Sequence, residues 1–229
     1  MIISHKHKFI FIKTEKTAGT SLEIALSGIC GAEDIITPIS PSDEAVRKQL
    51  GFRTAQNYLL PFSSYTRLDW AKLIVKQERL KFFNHISAEA ITQYIDPSIW
   101  NNYFKFCFER NPWDKLISWY YWANGDEQYG SIKNFILSGK SGSIKGFELY
   151  TKGGICVVDK VYKLEKMEAA LADISDRVGL DRPLVLPKYK AKSHSRKDKR
   201  HYREILTHEE AELVASIFAR EIRTWDYSF

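Results

Sequence analysis

The sequence predicts an α/β fold: a central parallel sheet with helices over both faces. Three observations predict it. Apolar runs rich in aromatic and β-branched residues occur at 7–12, 103–109 and 157–164, and each passes directly into a segment of helical periodicity. The chain has 229 residues, a length that suits one large domain over 1–229. Its residues are 44% hydrophobic and 14% aromatic, ample for a sizeable core. No repeat, low-complexity tract or linker interrupts it.

In chain order, 7–12 reads as a buried strand. A turn at 13–18 then leads to a helix from about Thr20 to Leu26, stopped near Gly28. Residues 31–66, punctuated by Pro38, Pro41 and Pro61, carry no assigned element. The 68–80 segment places Leu68, Ala71, Ile74 and Val75 at helical spacing. The run KFF at 81–83 leads to Asn84 and His85, and Ser87 caps a helix through Tyr94, ended before Pro97. The 103–109 strand enters a helix with Asn111 as N-cap and Pro112 in its first position, with Gly125 as its stop. The third strand precedes an amphipathic helix at 165–178 closed by Gly179. Thr207 and Glu210 form a capping box for a last helix through about Arg223.

The formal net charge of +6 favours anionic partners: nucleotides, acidic sugars, nucleic acid or a membrane surface. The three cysteines, Cys30, Cys107 and Cys156, are far apart and odd in number. They suggest free thiols in a reducing compartment, not a disulfide framework. The apolar residues 9–12 are too few for a secretory signal, and nothing approaches the roughly 20 apolar residues of a membrane span. The expectation is a soluble, cytoplasmic chain.

Chemistry enters where the first strand ends. Residues 16–21 read KTAGTS. A strand–loop–helix unit directs successive backbone N–H groups and a helix N-terminus at an anion. Small residues let the backbone approach, Thr17, Thr20 and Ser21 offer hydroxyls, and Lys16 brings a mobile charge. The loop is built to hold a phosphate. It is not G-x-x-x-x-G-K-[ST], because Lys16 precedes Gly19 and the first glycine is missing. The alternative is an ordinary strand–helix turn with a surface lysine. A second candidate lies at 110–118, RNPWDKLIS. Arg110, at the end of a strand, offers a planar fork for a phosphate, and Ser118 offers a donor two helical turns on. The alternatives are a salt bridge from Arg110 to Asp114 and a helix-contact role for Ser118.

Together the two loops resemble the PAPS-dependent sulfotransferases: 16–21 is similar to their 5′-phosphate loop and 110–118 to their 3′-phosphate motif. The similarity is closest to the carbohydrate (heparan and chondroitin type) group. It extends to NHISAEAI at 84–91, VDKVYKLEKMEAAL at 158–171 and EIRTWDYSF at 221–229. The resemblance implies a P-loop-like three-layer sandwich. PAPS would be the donor, adenosine 3′,5′-bisphosphate the product, no metal would be needed, and the partner would be a small-molecule or glycan acceptor rather than nucleic acid. Lys16, Thr17, Ala18, Gly19, Thr20 and Ser21 would hold the 5′-phosphate, with Lys16 also stabilising charge on the bridging oxygen. Arg110 and Ser118 would hold the 3′-phosphate. Two positions depart from the family pattern. Glu15 stands where proline is common, with Lys13 as its expected partner. Glu109 stands where a hydrophobic residue is common, and a neighbouring base is its expected partner.

An acceptor hydroxyl gains from a general base, and histidine has a suitable pKa. His85, placed at the end of a strand-like run, is the candidate; helix capping is its alternative role, and Glu23, Glu89 and Glu109 are weaker candidate bases. The basic stretch 188–203 contains Lys192, Ser193 and Arg196. In the resemblance it matches a late loop that closes over the cofactor, with a solvated loop as the alternative. Most of the aromatic residues at 113–122 are expected in the core, and Trp225, Tyr227 and Phe229 are expected to dock the chain's last segment. Two competing functions remain open: a P-loop nucleotide kinase and a non-catalytic binder of polyanions or RNA.

Overall fold

The computed structural model describes residues 1–187 and 196–229. Strands β1 (Ile2–Ser4) and β2 (Phe9–Ile12) are followed by helix α1 (Gly19–Ser27), strand β3 (Ile35–Ile36) and helices α2 (Pro41–Gln49), α3 (Arg67–Lys76), α4 (Ala88–Thr92) and α5 (Pro97–Asn102). Strand β4 (Phe104–Glu109) leads to α6 (Pro112–Trp122), α7 (Gly125–Tyr129) and α8 (Ile132–Leu137). A small hairpin, β5 (Thr151–Lys152) and β6 (Ile155–Cys156), precedes β7 (Lys160–Lys163). Helices α9 (Met167–Arg177), α10 (Tyr202–Ile205), α11 (His208–Ile217) and α12 (Ala219–Trp225) complete the described chain.

The main sheet has the order β3-β1-β2-β4-β7. Its three predicted strands are parallel neighbours, with Phe9 opposite Phe104 and Phe106 opposite Lys160. The sheet as a whole is mixed, however, because β1 runs antiparallel to both β2 and β3. The cause is local. Only residues 5–8 join β1 to β2, with Lys8 at φ 53, and a connection that short can only reverse the chain.

Side chains of the central strands alternate between faces. Phe9, Phe11, Phe106 and Phe108 pack on one side with Leu22 and Leu26 of α1 and Leu171 and Ile174 of α9. Ile10, Ile12 and Cys107 face the other side, against Ile91 of α4, Phe147 and Tyr150. A third cluster joins α6, α8 and α11 through Leu116, Phe135 and Val214. Cys30 and Cys107 are buried free thiols and Cys156 is exposed; burial pushes the Cys107 thiol well up.

Several boundaries differ from expectation. Helix α6 begins at Pro112, with Asn111 accepting from the N–H groups of Trp113 and Asp114. It ends at Trp122, and Gly125 opens α7. The break is at Asn124, whose φ of 52° is left-handed, and Gly125 is needed for packing, since a Cβ there would stand 2.2 Å from the Tyr120 ring. Helix α2 falls in the unassigned region, although Ser40 as N-cap, Pro41, and Asp43 and Glu44 in the first turn are ordinary start signals. The run 81–83 is not a sheet strand; Lys81 makes an isolated bridge to Leu59. The last helix divides at Phe218, whose ring is buried, while its Thr207–Glu210 capping box forms as expected. No helix of the described residues is long and apolar enough to cross a membrane.

Candidate active site

A cavity of about 410 Å³ opens where the three parallel strands finish. Lys13 follows the end of β2, Arg110 that of β4 and Leu164 that of β7, and all three line it. Such carboxyl ends are where open α/β sheets place ligands.

The first wall is the 13–21 loop, with Lys16, Ala18, Gly19, Thr20 and Ser21 on the cavity. Its backbone is unusual. Lys16 and Ala18 have φ of 62° and 57°, and His85, across the cavity, has 58°. A left-handed conformation at a side chain other than glycine, asparagine or aspartate is strained and recurs at ligand sites. Gly19 allows the close crossing of Lys13: a Cβ there would lie 2.7 Å from Lys13 Cγ. Lys13 is held from behind by buried Glu23. Burial pushes the Glu23 carboxyl up, but Lys13 and other cations outweigh this and hold it at about 2.

Lys13 therefore pairs with Glu23 and not with Glu15. Glu15 instead accepts from the Lys145 N–H at 3.0 Å and itself lines the cavity. Thr17 is buried, and its hydroxyl contacts Thr14 Oγ1 at 2.9 Å and donates to the Thr14 carbonyl at 3.2 Å. It braces the loop rather than lining the cavity. Lys16 Nζ sits 5.0 Å from the centre of the Trp122 ring.

The second wall is the start of α6. Arg110 donates to the Lys16 carbonyl at 3.1 Å and to Asp114 Oδ2 at 2.9 and 2.6 Å. Arg196 reaches the other oxygen of Asp114 at 2.6 Å. Burial pushes the Asp114 carboxyl up, and the two guanidinium groups outweigh it and hold the pKa below the usual range. The salt bridge expected as an alternative for Arg110 is thus present, yet Arg110 still lines the cavity beside Ser118 and Arg196. Behind this wall Glu109 meets Lys115 at 3.0 Å, both side chains 1% exposed. This is the neighbouring base expected for Glu109. Lys192 and Ser193 lie outside the described residues.

His85 arrives from the segment before α4. Its Nδ1 lies 2.8 Å from the Lys13 carbonyl. A carbonyl only accepts, so the proton sits on Nδ1 and the lone pair on Nε2. Burial, and then the Lys13 charge, hold the imidazole at about 4, so it is neutral at neutral pH.

The sequence did not indicate that Asp43, Ser40, Trp119 and Trp122 would line the cavity. For Ser40 and Asp43 the helix-start pattern at 40–44 was the available signal. Burial of the α6 aromatics is partial: Trp113 and Tyr120 are buried, whereas Trp122 is 47% exposed. Among the described residues no cluster of three or more His, Cys, Asp or Glu side chains is placed to hold a metal.

Among known proteins, an uncharacterized protein of Archaeoglobus fulgidus is 29% identical over 99 residues, covering 41% of this chain and 82% of that one. No solved structure matches. The model of the sulfotransferase family matches residues 1–141, a span that includes the 16–21 loop, His85, Arg110 and Ser118. With more than half of its length matched, this chain belongs to the sulfotransferase family.

Proposed function

We propose that the protein moves a sulfuryl group from PAPS to a hydroxyl of a carbohydrate or other small acceptor. We read it as one catalytic domain over 1–229, of P-loop-like three-layer form, acting in the cytoplasm. The observation that carries this reading is the convergence of the Lys16 loop, the Arg110–Ser118 wall and His85 on one cavity. Its lining also fits an anionic nucleotide. Lys13, Lys16, Arg110 and Arg196 line it with Glu15 and Asp43, Glu23 and Asp114 behind them balancing Lys13 and the two arginines in part, and Trp119 and Trp122 offer aromatic faces for a base.

When bound, PAPS supplies an activated sulfuryl group with adenosine 3′,5′-bisphosphate as its leaving portion. The chain's own contribution is placement and charge. Backbone N–H groups at 18–21, with the Thr20 and Ser21 hydroxyls, hold the 5′-phosphate, and Lys16 neutralises charge there. Arg110, Ser118 and Arg196 hold the 3′-phosphate. His85 Nε2 takes the proton of the acceptor hydroxyl, while the Nδ1 hydrogen bond to the Lys13 carbonyl fixes the ring. Lys192 and Ser193 remain proposed contacts of the later loop.

The test is a thermal-shift panel with adenosine 3′,5′-bisphosphate, ATP–Mg²⁺ and RNA, since a ligand selective for the folded state raises the melting temperature. The bisphosphate should stabilise the wild type and not Arg110→Ala. A response to ATP–Mg²⁺ alone would favour a kinase. A response to RNA alone, lost at high salt, would favour a polyanion binder.

A further inference from the structure

Helix α3 fills no part of the core: none of its residues is buried. It belongs to an excursion over 61–79, closed at its base by the N–H of Leu60 donating to the Leu80 carbonyl and that of Phe82 to the Tyr58 carbonyl. Trp70 turns back onto Phe62 and Tyr65, with ring centres 5.4 and 5.3 Å apart. Leu68, Ile74 and Val75 are 74%, 77% and 80% exposed, and Ala71 lies between them at helical spacing. Large apolar side chains left in water together on one side of a helix mark a contact surface.

What covers it follows from the surrounding charge. Residues 67–81 contain five cations, Arg67, Lys72, Lys76, Arg79 and Lys81, against Asp69 and Glu78. Asp69 is already engaged in capping the helix at Thr66. At the foot of the excursion a cavity of about 430 Å³ is lined by Arg79 and Lys81 together with Tyr58, Leu59, Gln77 and Glu78. The Arg79 guanidinium lies 4.9 Å from the centre of the Phe62 ring.

We propose that this excursion docks the protein onto an anionic lipid bilayer. Leu68, Ala71, Ile74 and Val75 enter the headgroup boundary, and the lysines and arginines meet lipid phosphates. A second copy of the chain fits poorly, since a two-fold contact would set this cationic rim against itself. Three or four side chains also fall short of the roughly 1,200 Å² of a stable protein interface. The helix would lie on the bilayer and not span it. Residues 81–83 connect the excursion directly to Asn84 and His85 on the active-site cavity. The docking itself does not rest on the sulfotransferase reading.

The experiment is flotation of the full chain with phosphatidylcholine vesicles, with and without about 30% phosphatidylglycerol, in parallel with light scattering. Binding is expected only to the anionic vesicles and should weaken at high salt. The Ile74→Asp/Val75→Asp variant should bind at least about tenfold more weakly. Its melting temperature and its bisphosphate response should match the wild type, because both side chains are solvent-exposed. Failure to bind anionic vesicles, or equal binding by the variant, would overturn the proposal. So would a dimer that disappears in the variant without any vesicle binding, which would assign this contact surface to a second copy. Loss of the bisphosphate response in the wild type would count against the proposed function alone.

Discussion

The two walls of the cavity present cations by different means. At the 13–21 loop the backbone is the device: left-handed residues at 16 and 18, a glycine that admits Lys13, and a threonine hydroxyl turned inward to brace the turn. At the start of α6 the device is a network of side chains, in which Asp114 bridges Arg110 and Arg196. Each wall is backed by a buried lysine–glutamate pair. The two pairs are not equally satisfied. Glu23 also meets the Met1 amino group and accepts from the Thr37 hydroxyl at 3.2 Å, whereas among the described residues no well-aligned hydrogen bond reaches Glu109 Oε1. The difference teaches that one wall is shaped by chain geometry while its neighbour depends on a balance of side-chain charges.

The sharpest way to break the second wall is from behind. Lys115→Ala strands the Glu109 carboxylate in the core and should lower stability by about 3–5 kcal/mol, measured by urea unfolding. A loss under 1 kcal/mol would mean that water reaches the pair. Next comes Lys16→Ala, expected to slow turnover with labelled PAPS by about 10²–10³-fold with an almost unchanged melting temperature. A large drop in stability instead would make Lys16 a structural part of the loop.

His85→Ala should reduce turnover by at least about 10²-fold and leave bisphosphate binding intact. Because a base works only when unprotonated, and burial holds this imidazole at about 4, the acid limb of kcat/KM should fall near pH 4. A limb near 6.5 would place a different group, or a solvated histidine, in that role. The same depression has a consequence for stability. Unfolded His85 takes up a proton below about pH 6.5 and the folded one does not. Its contribution is therefore complete above that pH and lost progressively toward pH 4.

The smallest expected effects come from the two hydroxyls, and they separate the walls most directly. Thr17→Val should reduce stability by about 1 kcal/mol, since its hydroxyl serves the loop. Ser118→Ala should leave stability unchanged and weaken the bisphosphate by about 0.5–1.5 kcal/mol, read by calorimetry. Reversed results would exchange the roles of these two side chains.

Much of this site was legible because its signals are local. KTAGTS needs only a preceding strand to become a strand–helix loop of small residues at the sheet's end, and Asn111–Pro112 needs only its neighbours to start α6 after Arg110. The parallel set β2, β4 and β7 could be inferred from apolar runs that enter helices. The antiparallel strands were missed because β1 and β3 are three and two residues long, below the span over which periodicity can be read. The Glu15 partner was misjudged because the two-residue spacing to Lys13 suggested proximity. In the fold, Lys13 turns inward to Glu23 and Glu15 meets the chain 130 residues away.

By itself, then, the sequence determined the three parallel strands and the helices that follow them, and it pointed to two stretches suited to anions, because caps, turns and periodicity act over a few residues. Only the tertiary structure decided that Lys16, Arg110, Ser118 and His85 share one cavity, which nitrogen of His85 carries the lone pair, and that α3 stays in solvent. Those outcomes depend on contacts between residues far apart in sequence, and packing sets them rather than local preference.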